Sequence, residues 1–505
     1  MARLRWRPRG QWGWPALAAL LACGSVGCRS GPLDWYRAAG RARALERGST
    51  IPLAPCLVRD LLGTLTLCGT YDVWENRTTR VGRRIPLHLV VLPASGPNPD
   101  SDAVLPLDGG PGLGATTQAG IAGFVQGAWR THDVVLIDQR GTGQSAPLTC
   151  ELYGDGTRAA RYLGPRIPED AIRTCRADLE RQVDLTQYTT AIAAADLRDV
   201  LGALGVKHVD LVGLSYGGRL ALEFLRRYPV GVRSVILVSS PTPQLLIPLS
   251  FAAAAQRALA GVFDDCRQDS VCARAFPRAP SELDSVFVRL ARAPAAVVLR
   301  DRAGTDTARW TRDAVANAVF ELLYDVAHAR KIPFWAHEMA SGDFTDFARE
   351  TVRAHRVRWP LNAYGLTLSV ICSEDVPFLD SAHVALALAE RPLGAPLLTS
   401  IQAACAHWPR AVVSPDVHTP VVSSVPTLIL TGARDPTGAT EASASAARFL
   451  TNSRLVTTPY YGHASFDACS AALIAGFIAR PDPGALDATC AQHPHLPPFA
   501  ITSPR

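Results

Sequence analysis

Short apolar runs recur along the first half of the chain, each followed by a turn rich in glycine, proline or polar residues. The runs at 103–107, 133–137 and 209–214 are apolar at nearly every position, which is typical of strands buried on both faces. Segments with helical spacing, at 190–204 and 218–228, flank the last of these runs. This alternation predicts a mostly parallel sheet with helices packed on both faces.

Alternating apolar and polar residues at 65–76 and 85–93 predict a β-hairpin before the first buried strand. Near residue 245 the alternation of strand and helix stops, and the segment 246–414 is alanine-rich and helical in pattern. Strand-like runs return at 426–432 and 454–458. A helical segment of roughly 170 residues between two strands of one sheet is typical of a lid.

The composition is that of a globular protein. Of the 505 residues 48% are hydrophobic and 19% are charged, and this length exceeds what one ordinary core holds. The formal net charge is +6, but the basic residues after residue 50 are scattered, so we expect no nucleic-acid partner. The expected organisation is a core in two parts, 51–245 and 415–505, with the lid at 246–414 between them. The sequence carries no signal for the oligomeric state.

The first thirty residues have the pattern of an export signal. Several arginines precede an apolar stretch, 11–22, that is too short to span a bilayer. Cys23, preceded by Leu-Leu-Ala, resembles the lipidated residue of a bacterial lipoprotein, which predicts a signal peptide over 1–22 and a tether over 23–50. Cys28 is a second lipidation candidate, and an ordinary cleaved signal peptide is the alternative. We expect an exported envelope lipoprotein that touches the membrane only through its lipid, or a secreted protein.

The chain has twelve cysteines, and in an exported protein such cysteines predict disulfides. There is no C-x-x-C pair and no histidine at zinc-ligand spacing, which argues against a metal site. Ten cysteines remain when Cys23 and Cys28 are set aside. Sequence alone leaves their connectivity open, but pairing of neighbours predicts five disulfides: Cys56 with Cys68, Cys150 with Cys175, Cys266 with Cys272, Cys372 with Cys405, and Cys469 with Cys490.

The most informative motif is Gly213-Leu214-Ser215-Tyr216-Gly217, a G-x-S-x-G pattern. It follows a buried-strand run and opens a helical segment, which is the context that places a serine nucleophile on a tight turn. Both glycines are needed because side chains at those positions would collide in that turn. An ordinary strand-to-helix turn is the alternative.

A serine needs a base to take its proton and an acid to orient that base. In this arrangement the residues run Ser, Asp or Glu, His along the chain, which predicts Ser215, Asp435 and His463. Asp435 and His463 each follow a strand-like run, so we expect both at one edge of the sheet. The nearest competing histidines, at 407 and 418, precede Asp435 and break the order, and Asp467 fits only if the acid follows the base.

The oxyanion of an acyl-transfer reaction needs two backbone N–H donors. One is expected from Tyr216, directly after the nucleophile, and the other from Gly110 in the loop 108–112, because Pro111 has no N–H. A phosphate cradle is the alternative for this glycine-rich loop, but G-K-[ST] is missing. The phosphate cradle is therefore rejected.

In combination these motifs resemble the prolyl aminopeptidase and tripeptidyl aminopeptidase group of α/β-hydrolases, including its secreted tripeptidyl aminopeptidase-like branch. The resemblance is carried by Gly-Gly-Pro-Gly at 109–112, the segments 138–145 and 213–217, Cys-Ser-Glu-Asp at 372–375 and Gly-His at 462–463. It implies an α/β-hydrolase fold with a large helical lid. It also implies a serine enzyme without a cofactor that cleaves short N-terminal units from peptides.

Two positions depart from the pattern of this group. Asp108 stands where relatives often carry histidine, and Asp435-Pro436-Thr437-Gly438 stands where they tend to have Asp-Pro-Val-Thr. Neither departure removes a member of the Ser-Asp-His set, but both bear on the substrate.

An aminopeptidase must recognise a free ammonium group, which requires carboxylates in the lid. Glu374 and Asp375 are the candidates, and helix capping or pairing with arginine is the alternative. Asp138 and Arg140 are interpreted as a buried structural pair at a strand end.

The leading hypothesis is a lipid-anchored exopeptidase in which the substrate acylates Ser215. Water activated by His463 then releases the acyl group from the serine. The alternative is an esterase or amidase acting on small non-peptide substrates, because the same triad serves both chemistries. The third hypothesis, a catalytically silent binding lipoprotein, gives no reason for an ordered serine, acid and base.

Overall fold

The computed structural model describes residues 32–502, apart from 62, 98–101, 118–122, 124, 126, 155, 302–303, 390–392 and 464–465. The export signal and the lipidation candidates Cys23 and Cys28 lie outside the described residues.

A nine-stranded sheet forms the core, in the order β1-β2-β3-β5-β4-β6-β7-β10-β11, and β8 pairs with β9 in a separate two-stranded sheet. The strands are β1 Ala54–Cys56, β2 Thr66–Trp74, β3 Arg84–Leu92, β4 Ala103–Leu107, β5 Asp133–Ile137, β6 Val209–Leu214, β7 Val232–Val238, β8 Ala295–Asp301, β9 Gly304–Trp310, β10 Thr427–Gly432 and β11 Ser453–Thr458.

The α-helices among the described residues are α1 Pro32–Gly48, α2 Glu169–Glu180, α3 Thr190–Ala203, α4 Tyr216–Arg227, α5 Ser250–Gln268, α6 Ser270–Ala275, α7 Ala279–Arg292, α8 Arg312–Leu322, α9 Val326–Ala329, α10 Ile332–Ser341, α11 Thr345–Arg358, α12 Tyr364–Glu374, α13 Ser381–Ala389, α14 Ala395–Cys405, α15 Ala439–Ala446 and α16 Ala468–Ala479. None of the helices in this part of the chain is long and apolar enough to cross a membrane.

The sheet is antiparallel at one end and parallel over the rest. The predicted hairpin is β2 and β3, which pair antiparallel, and β3 also pairs antiparallel with β5. From β5 through β4, β6, β7 and β10 to β11 each neighbouring pair is parallel. All five residues of β4 and of β5 are buried, because apolar clusters cover both faces of the sheet. The predicted α/β-hydrolase fold class is confirmed.

The segment expected to be a lid lies between β7 and β10, and it is not entirely helical. It contains β8 and β9, which pair antiparallel over seven residues each, with Ala295 opposite Trp310. Trp310 is fully buried, and its ring lies 5.1 Å from that of Phe347 in α11. The hairpin was missed because the alanine-rich sequence before it continues the helical pattern of α7.

Five disulfides join the cysteine pairs expected from their order in the chain: Cys56–Cys68, Cys150–Cys175, Cys266–Cys272, Cys372–Cys405 and Cys469–Cys490. Two of them lie within the lid, where Cys266–Cys272 joins α5 to α6 and Cys372–Cys405 joins α12 to α14. Each closed loop restricts the unfolded chain and contributes about 2–4 kcal/mol.

The segment expected to be a tether contains a helix that packs on the core. Ala38, Ala39 and Ala42 of α1 are buried, and Arg41 donates to the Asp133 carboxylate at 2.7 Å. Asp133 is the first residue of β5, so α1 lies at the edge of the sheet opposite the carboxyl ends of the parallel strands.

Candidate active site

Ser215 occupies a strained turn between β6 and α4. Its backbone angles are φ 53° and ψ −126°, and its N–H donates to the carbonyl of Val238 at 2.9 Å. Gly213 and Gly217 make the turn possible, since a Cβ on Gly213 would lie 2.4 Å from the Gly218 Cα and one on Gly217 would lie 2.0 Å from the Leu107 carbonyl oxygen. The turn therefore holds the serine side chain at the carboxyl end of the sheet.

The structure brings together the three residues predicted to form the triad. Nε2 of His463 lies 3.0 Å from the Ser215 hydroxyl, and its Nδ1 lies 2.8 Å from Oδ2 of Asp435. Asp435 follows β10 and His463 follows β11, so both lie where the ends of parallel strands meet. Both residues are buried.

The competing residues have other partners. The ring of His418 contacts the Pro243 carbonyl through Nδ1 at 2.7 Å, and His407 lies 3.8 Å from Glu169 on the surface. Asp467 caps α16 and accepts a hydrogen bond from the Tyr461 hydroxyl at 2.7 Å. Among the described residues, none of these three side chains is hydrogen-bonded to the Ser215 hydroxyl.

Thr437 fixes the Asp435 carboxylate, a role that the sequence analysis did not assign. Its N–H and its hydroxyl donate to Oδ1 of Asp435 at 2.8 and 2.6 Å, which leaves Oδ2 for His463. The threonine belongs to the segment noted above as a departure from the family pattern. That departure was the available signal. An aspartate carboxylate commonly accepts the backbone N–H two residues on, and here the threonine hydroxyl adds a second hydrogen bond.

The loop 108–112 lies against Ser215, as expected for an oxyanion site. A Cβ on Gly109 would lie 3.0 Å from the Ser215 Cβ. The Gly109 N–H donates to Oδ1 of Asp108 at 2.7 Å, whereas the Gly110 N–H has no acceptor among the described residues. Tyr216 is the first residue of α4, where backbone N–H groups lack partners within the helix. Gly110 and Tyr216 therefore remain the oxyanion donors that we propose.

Asp108 is a buried carboxylic acid beside this loop. Burial raises the pKa of Asp108 to about 6; the hydrogen bond from Gly109 lowers it, and the negative charge of Asp138 adds to the rise. A group of this kind carries its proton in the folded protein at pH values where the unfolded chain has lost it.

We predict that Asp108→Asn stabilises the protein above pH 6. The shift from 3.8 to about 6 means that folding favours the protonated acid, so this contribution is present below pH 4 and is lost as pH rises through 6. An uncharged amide avoids that loss, which amounts to about 3 kcal/mol at neutral pH for a shift of about two units. Urea unfolding between pH 4 and 8 measures it. The exposed Asp178→Asn serves as control, and a difference between Asp108→Asn and wild type that is independent of pH would contradict the assignment.

Residues of the segment expected to be a lid contact His463 and the neighbour of Asp435. The ring of Tyr324 packs edge-on against that of His463, with centroids 4.7 Å apart. Gly462 permits this approach, because a Cβ there would lie 2.2 Å from the Leu323 carbonyl oxygen. On the other side of the site Arg434, next to Asp435, pairs with Asp265 of α5 at 2.9 Å. The lid is thus in direct contact with the segments that carry both His463 and Asp435.

We predict that Gly462→Ala lowers kcat/KM by about 100-fold, because the added methyl forces the Leu323 segment and His463 apart by about 1 Å. The matched control is Gly476→Ala in α16, where a Cβ meets nothing within 4 Å and alanine favours the helix. Steady-state kinetics on one ester substrate makes the comparison. Equal activity of the two variants would show that the contact between lid and His463 is dispensable.

Glu374 and Asp375 are not arranged as ammonium ligands, which corrects the expectation from the sequence. Glu374 accepts hydrogen bonds from the N–H and the hydroxyl of Thr190, both at 2.6 Å, and burial raises its pKa to about 7. The Thr190 hydroxyl in turn contacts the Tyr216 hydroxyl at 2.9 Å. Asp375 forms a buried ion pair with Arg219 at 3.0 Å. Both carboxylates have partners within the protein, and Glu374 is linked to the Tyr216 hydroxyl through Thr190.

Asp138 and Arg140 are both buried, but they do not pair with each other. Asp138 accepts hydrogen bonds from the N–H and the hydroxyl of Thr116 and from the Gln144 N–H. Arg140 instead pairs with Asp196 of α3, with Nε to Oδ2 at 2.6 Å. The interpretation as structural residues holds, whereas the pairing was wrong. In the described ranges no group of three or more His, Cys, Asp or Glu side chains could hold a metal ion.

Comparison with known proteins agrees with this architecture. A family model described as the alpha/beta hydrolase fold matches residues 103–468. A proline iminopeptidase of Aeromonas sobria is 31% identical over 141 residues, covering 28% of each chain. The serine protease Hip1 of Mycobacterium tuberculosis is 28% identical over 285 residues, covering 51% of this chain and 52% of its own. A tripeptidyl aminopeptidase of Streptomyces lividans is 28% identical over 123 residues, covering 23% of each chain.

The chain spans about half or less of the length of these curated relatives. They include the types of peptidase that the motifs resemble, so the resemblance is supported at the level of the family. The matched segment contains the Ser215 turn, Asp435 and His463, and it covers well over half of the chain. The chain belongs to the alpha/beta hydrolase fold family.

Proposed function

We propose that this protein is an exported serine hydrolase that acts as a peptidase through an acyl-enzyme on Ser215. The observation that carries the proposal is the hydrogen-bonded chain from the Ser215 hydroxyl through His463 to Asp435. A serine on a strained turn, a base at 3.0 Å and a fixed acid behind that base are the parts that nucleophilic catalysis requires.

The proposed reaction has two halves. In the first, Nε2 of His463 takes the proton of the Ser215 hydroxyl while Oγ attacks the scissile carbonyl, and Asp435 keeps Nδ1 protonated and oriented. The N–H groups of Gly110 and Tyr216 stabilise the oxyanion, and the leaving amine departs with the proton from His463. In the second half, His463 activates water, which attacks the ester carbonyl and returns Ser215 to its free state.

We further propose that the substrates are short peptides and that cleavage occurs near their amino end. Support comes from the curated relatives, which include a proline iminopeptidase and a tripeptidyl aminopeptidase. The lid supports it as well, because Tyr324 contacts His463, and we propose that a lid so close to this residue restricts access by long chains. The five disulfides support export, since disulfides persist in oxidising compartments. Lipidation at Cys23 is part of this proposal.

One observation favours the alternative of an esterase or amidase acting on small non-peptide substrates. The two lid carboxylates expected to bind an amine, Glu374 and Asp375, are occupied by Thr190 and Arg219. An enzyme that does not recognise an amine needs no free carboxylates beside its active site.

A substrate panel separates the two functions. Aminoacyl and tripeptidyl arylamides with free or acetylated N-termini are compared with p-nitrophenyl acetate, and Ser215→Ala measures the background. The exopeptidase proposal expects acetylation to lower kcat/KM by about 10- to 100-fold, because an ionic contact is lost. Unchanged turnover after acetylation would refute the exopeptidase and leave the esterase or amidase.

A further inference from the structure

Two lid tyrosines connect the proposed catalytic centre to a single arginine. Tyr324 packs on His463, with ring centroids 4.7 Å apart. Tyr364 begins α12, and the residue before it donates its N–H to the carbonyl of Gly112 in the oxyanion loop at 2.9 Å. Nε of Arg166 lies 3.3 Å from the Tyr364 hydroxyl. Arg166 therefore lies on the lid side of the site, next to elements that contact both the base and the oxyanion loop.

The guanidinium of Arg166 has N–H donors available to bind a ligand. Its closest carboxylate is Glu321, at 3.6 Å, which is beyond hydrogen-bond distance. Glu321 is satisfied without it, because Nε1 of Trp359 donates to its two oxygens at 3.0 and 3.2 Å and His355 lies 3.3 Å away. Among the described residues no side chain or carbonyl accepts a hydrogen bond from the terminal nitrogens of Arg166. The Arg166 side chain is 26% exposed to solvent, whereas that of Glu321 is 7% exposed.

A second arginine adds to the positive charge at this place. The guanidinium of Arg358 lies 5.1 Å from the centre of the Tyr324 ring, and Arg358 is exposed to solvent. Burial raises the pKa of Tyr324, and the charges of Arg166, Glu321, Arg358 and Asp435 all act on its hydroxyl. Glu321 and Asp435 balance the two guanidinium charges, but among the described residues neither carboxylate accepts a hydrogen bond from Arg166 or Arg358.

We propose that Arg166 and Arg358 form a carboxylate-binding subsite on the lid side of the catalytic centre. The subsite would select peptides that carry either a free C-terminal carboxylate close to the scissile bond or an acidic side chain beside it. Guanidinium groups bind carboxylates through paired hydrogen bonds, and an arginine with free terminal nitrogens is suited to this. The inference rests on the proposed peptidase function, for which it names the substrate class.

Paired substrates that differ only in one carboxylate test the subsite. Tetraalanine is compared with its C-terminal amide, and Ala-Ala-Glu p-nitroanilide with Ala-Ala-Gln p-nitroanilide. The readout is the ratio of kcat/KM within each pair, which does not depend on the fraction of folded enzyme. Wild type is expected to favour the carboxylate form about 10- to 100-fold in at least one pair, and Arg166→Gln to reduce that preference by about 10-fold or more. The pair that responds identifies the source of the carboxylate.

Three further variants complete the design. Arg166→Lys should keep part of the preference, because it retains the charge but not the paired geometry. Arg358→Gln should reduce the preference, and because this side chain is exposed the variant remains informative if Arg166→Gln does not fold. Arg158→Gln is the matched control, since this exposed arginine contacts Asp306 at 3.3 Å and should leave the preference unchanged.

The outcomes separate the inference from the function on which it rests. Equal rates within both pairs for wild type, or a preference that survives in both Arg166→Gln and Arg358→Gln, would overturn the subsite. An enzyme that hydrolyses p-nitrophenyl acetate but none of the four peptides would overturn the peptidase function, and the subsite with it.

Discussion

Replacement of Ser215 by alanine is expected to lower kcat by about 10⁴- to 10⁶-fold on any ester or peptide that the enzyme turns over. The loss is this large because alanine lacks the hydroxyl on which we propose that the acyl-enzyme forms. The folded structure should persist, since the residue is held by backbone geometry and by its N–H bond to Val238 rather than by its side chain. The residual rate would come from substrate binding and the oxyanion donors.

The measurement is steady-state kinetics on p-nitrophenyl acetate, with unfolding curves for both proteins. Ser285→Ala provides the matched control, because that hydroxyl is exposed and donates only to the Ser281 carbonyl of its own helix. If Ser215→Ala kept more than a tenth of the wild-type kcat, the nucleophile would have to be another residue.

The second large effect is expected for Asp435→Asn, which should lower kcat by about 10⁴-fold while preserving the fold. The amide has the size of the carboxylate but presents an N–H₂ or a neutral oxygen to His463. The imidazole then loses the charge that orients it and stabilises its protonated form. Thr437 would still hold one oxygen of the side chain, so the geometry should change little.

Asp467→Asn is the control for the acid, because Asp467 was the other carboxylate close to His463 in the sequence. It caps α16 and binds the Tyr461 hydroxyl, so its loss should cost about 1 kcal/mol of stability and leave kcat nearly unchanged. A large loss of kcat in Asp467→Asn together with a small one in Asp435→Asn would reverse the assignment of the acid.

Much of the fold could be predicted because strands that are buried on both faces leave a clear mark on the sequence. The runs at 103–107, 133–137 and 209–214 coincide with β4, β5 and β6, residue for residue. The positions of Asp435 and His463 at strand ends followed from the same pattern, since parallel strands place their carboxyl ends at one edge.

Tertiary partners left no comparable signal. The β8–β9 hairpin pairs only with itself, and its core residue Trp310 is recognisable only once α11 is packed against it. Glu374 and Asp375 looked like ligands because they lie beside Cys372 in a segment that resembles the family motif, but their partners, Thr190 and Arg219, lie more than 150 positions away. Such pairings depend on how helices cross, which a local pattern does not encode.

The two departures from the family pattern proved informative in different ways. Thr437 supplies the hydroxyl that holds the Asp435 carboxylate. The segment therefore fixes the acid through a threonine two residues after it, where relatives tend to have valine. Asp108 is a buried acid that accepts the Gly109 N–H, which leaves Gly110 as the loop donor that we propose. The sequence shows that these residues differ from the pattern, whereas their effect depends on which groups the fold places within hydrogen-bond distance of them.

The central claim is that Ser215 is the nucleophile activated by His463, and trapping with a fluorophosphonate tests it most directly. Attack by the Ser215 oxygen on phosphorus displaces fluoride and leaves a stable phosphonate ester. Mass spectrometry of the intact protein and of its peptides should show one adduct, located on Ser215 and absent from Ser215→Ala, with labelling slowed at least 100-fold in Asp435→Asn. An adduct on a different residue, or complete loss of activity without any adduct on Ser215, would contradict the account.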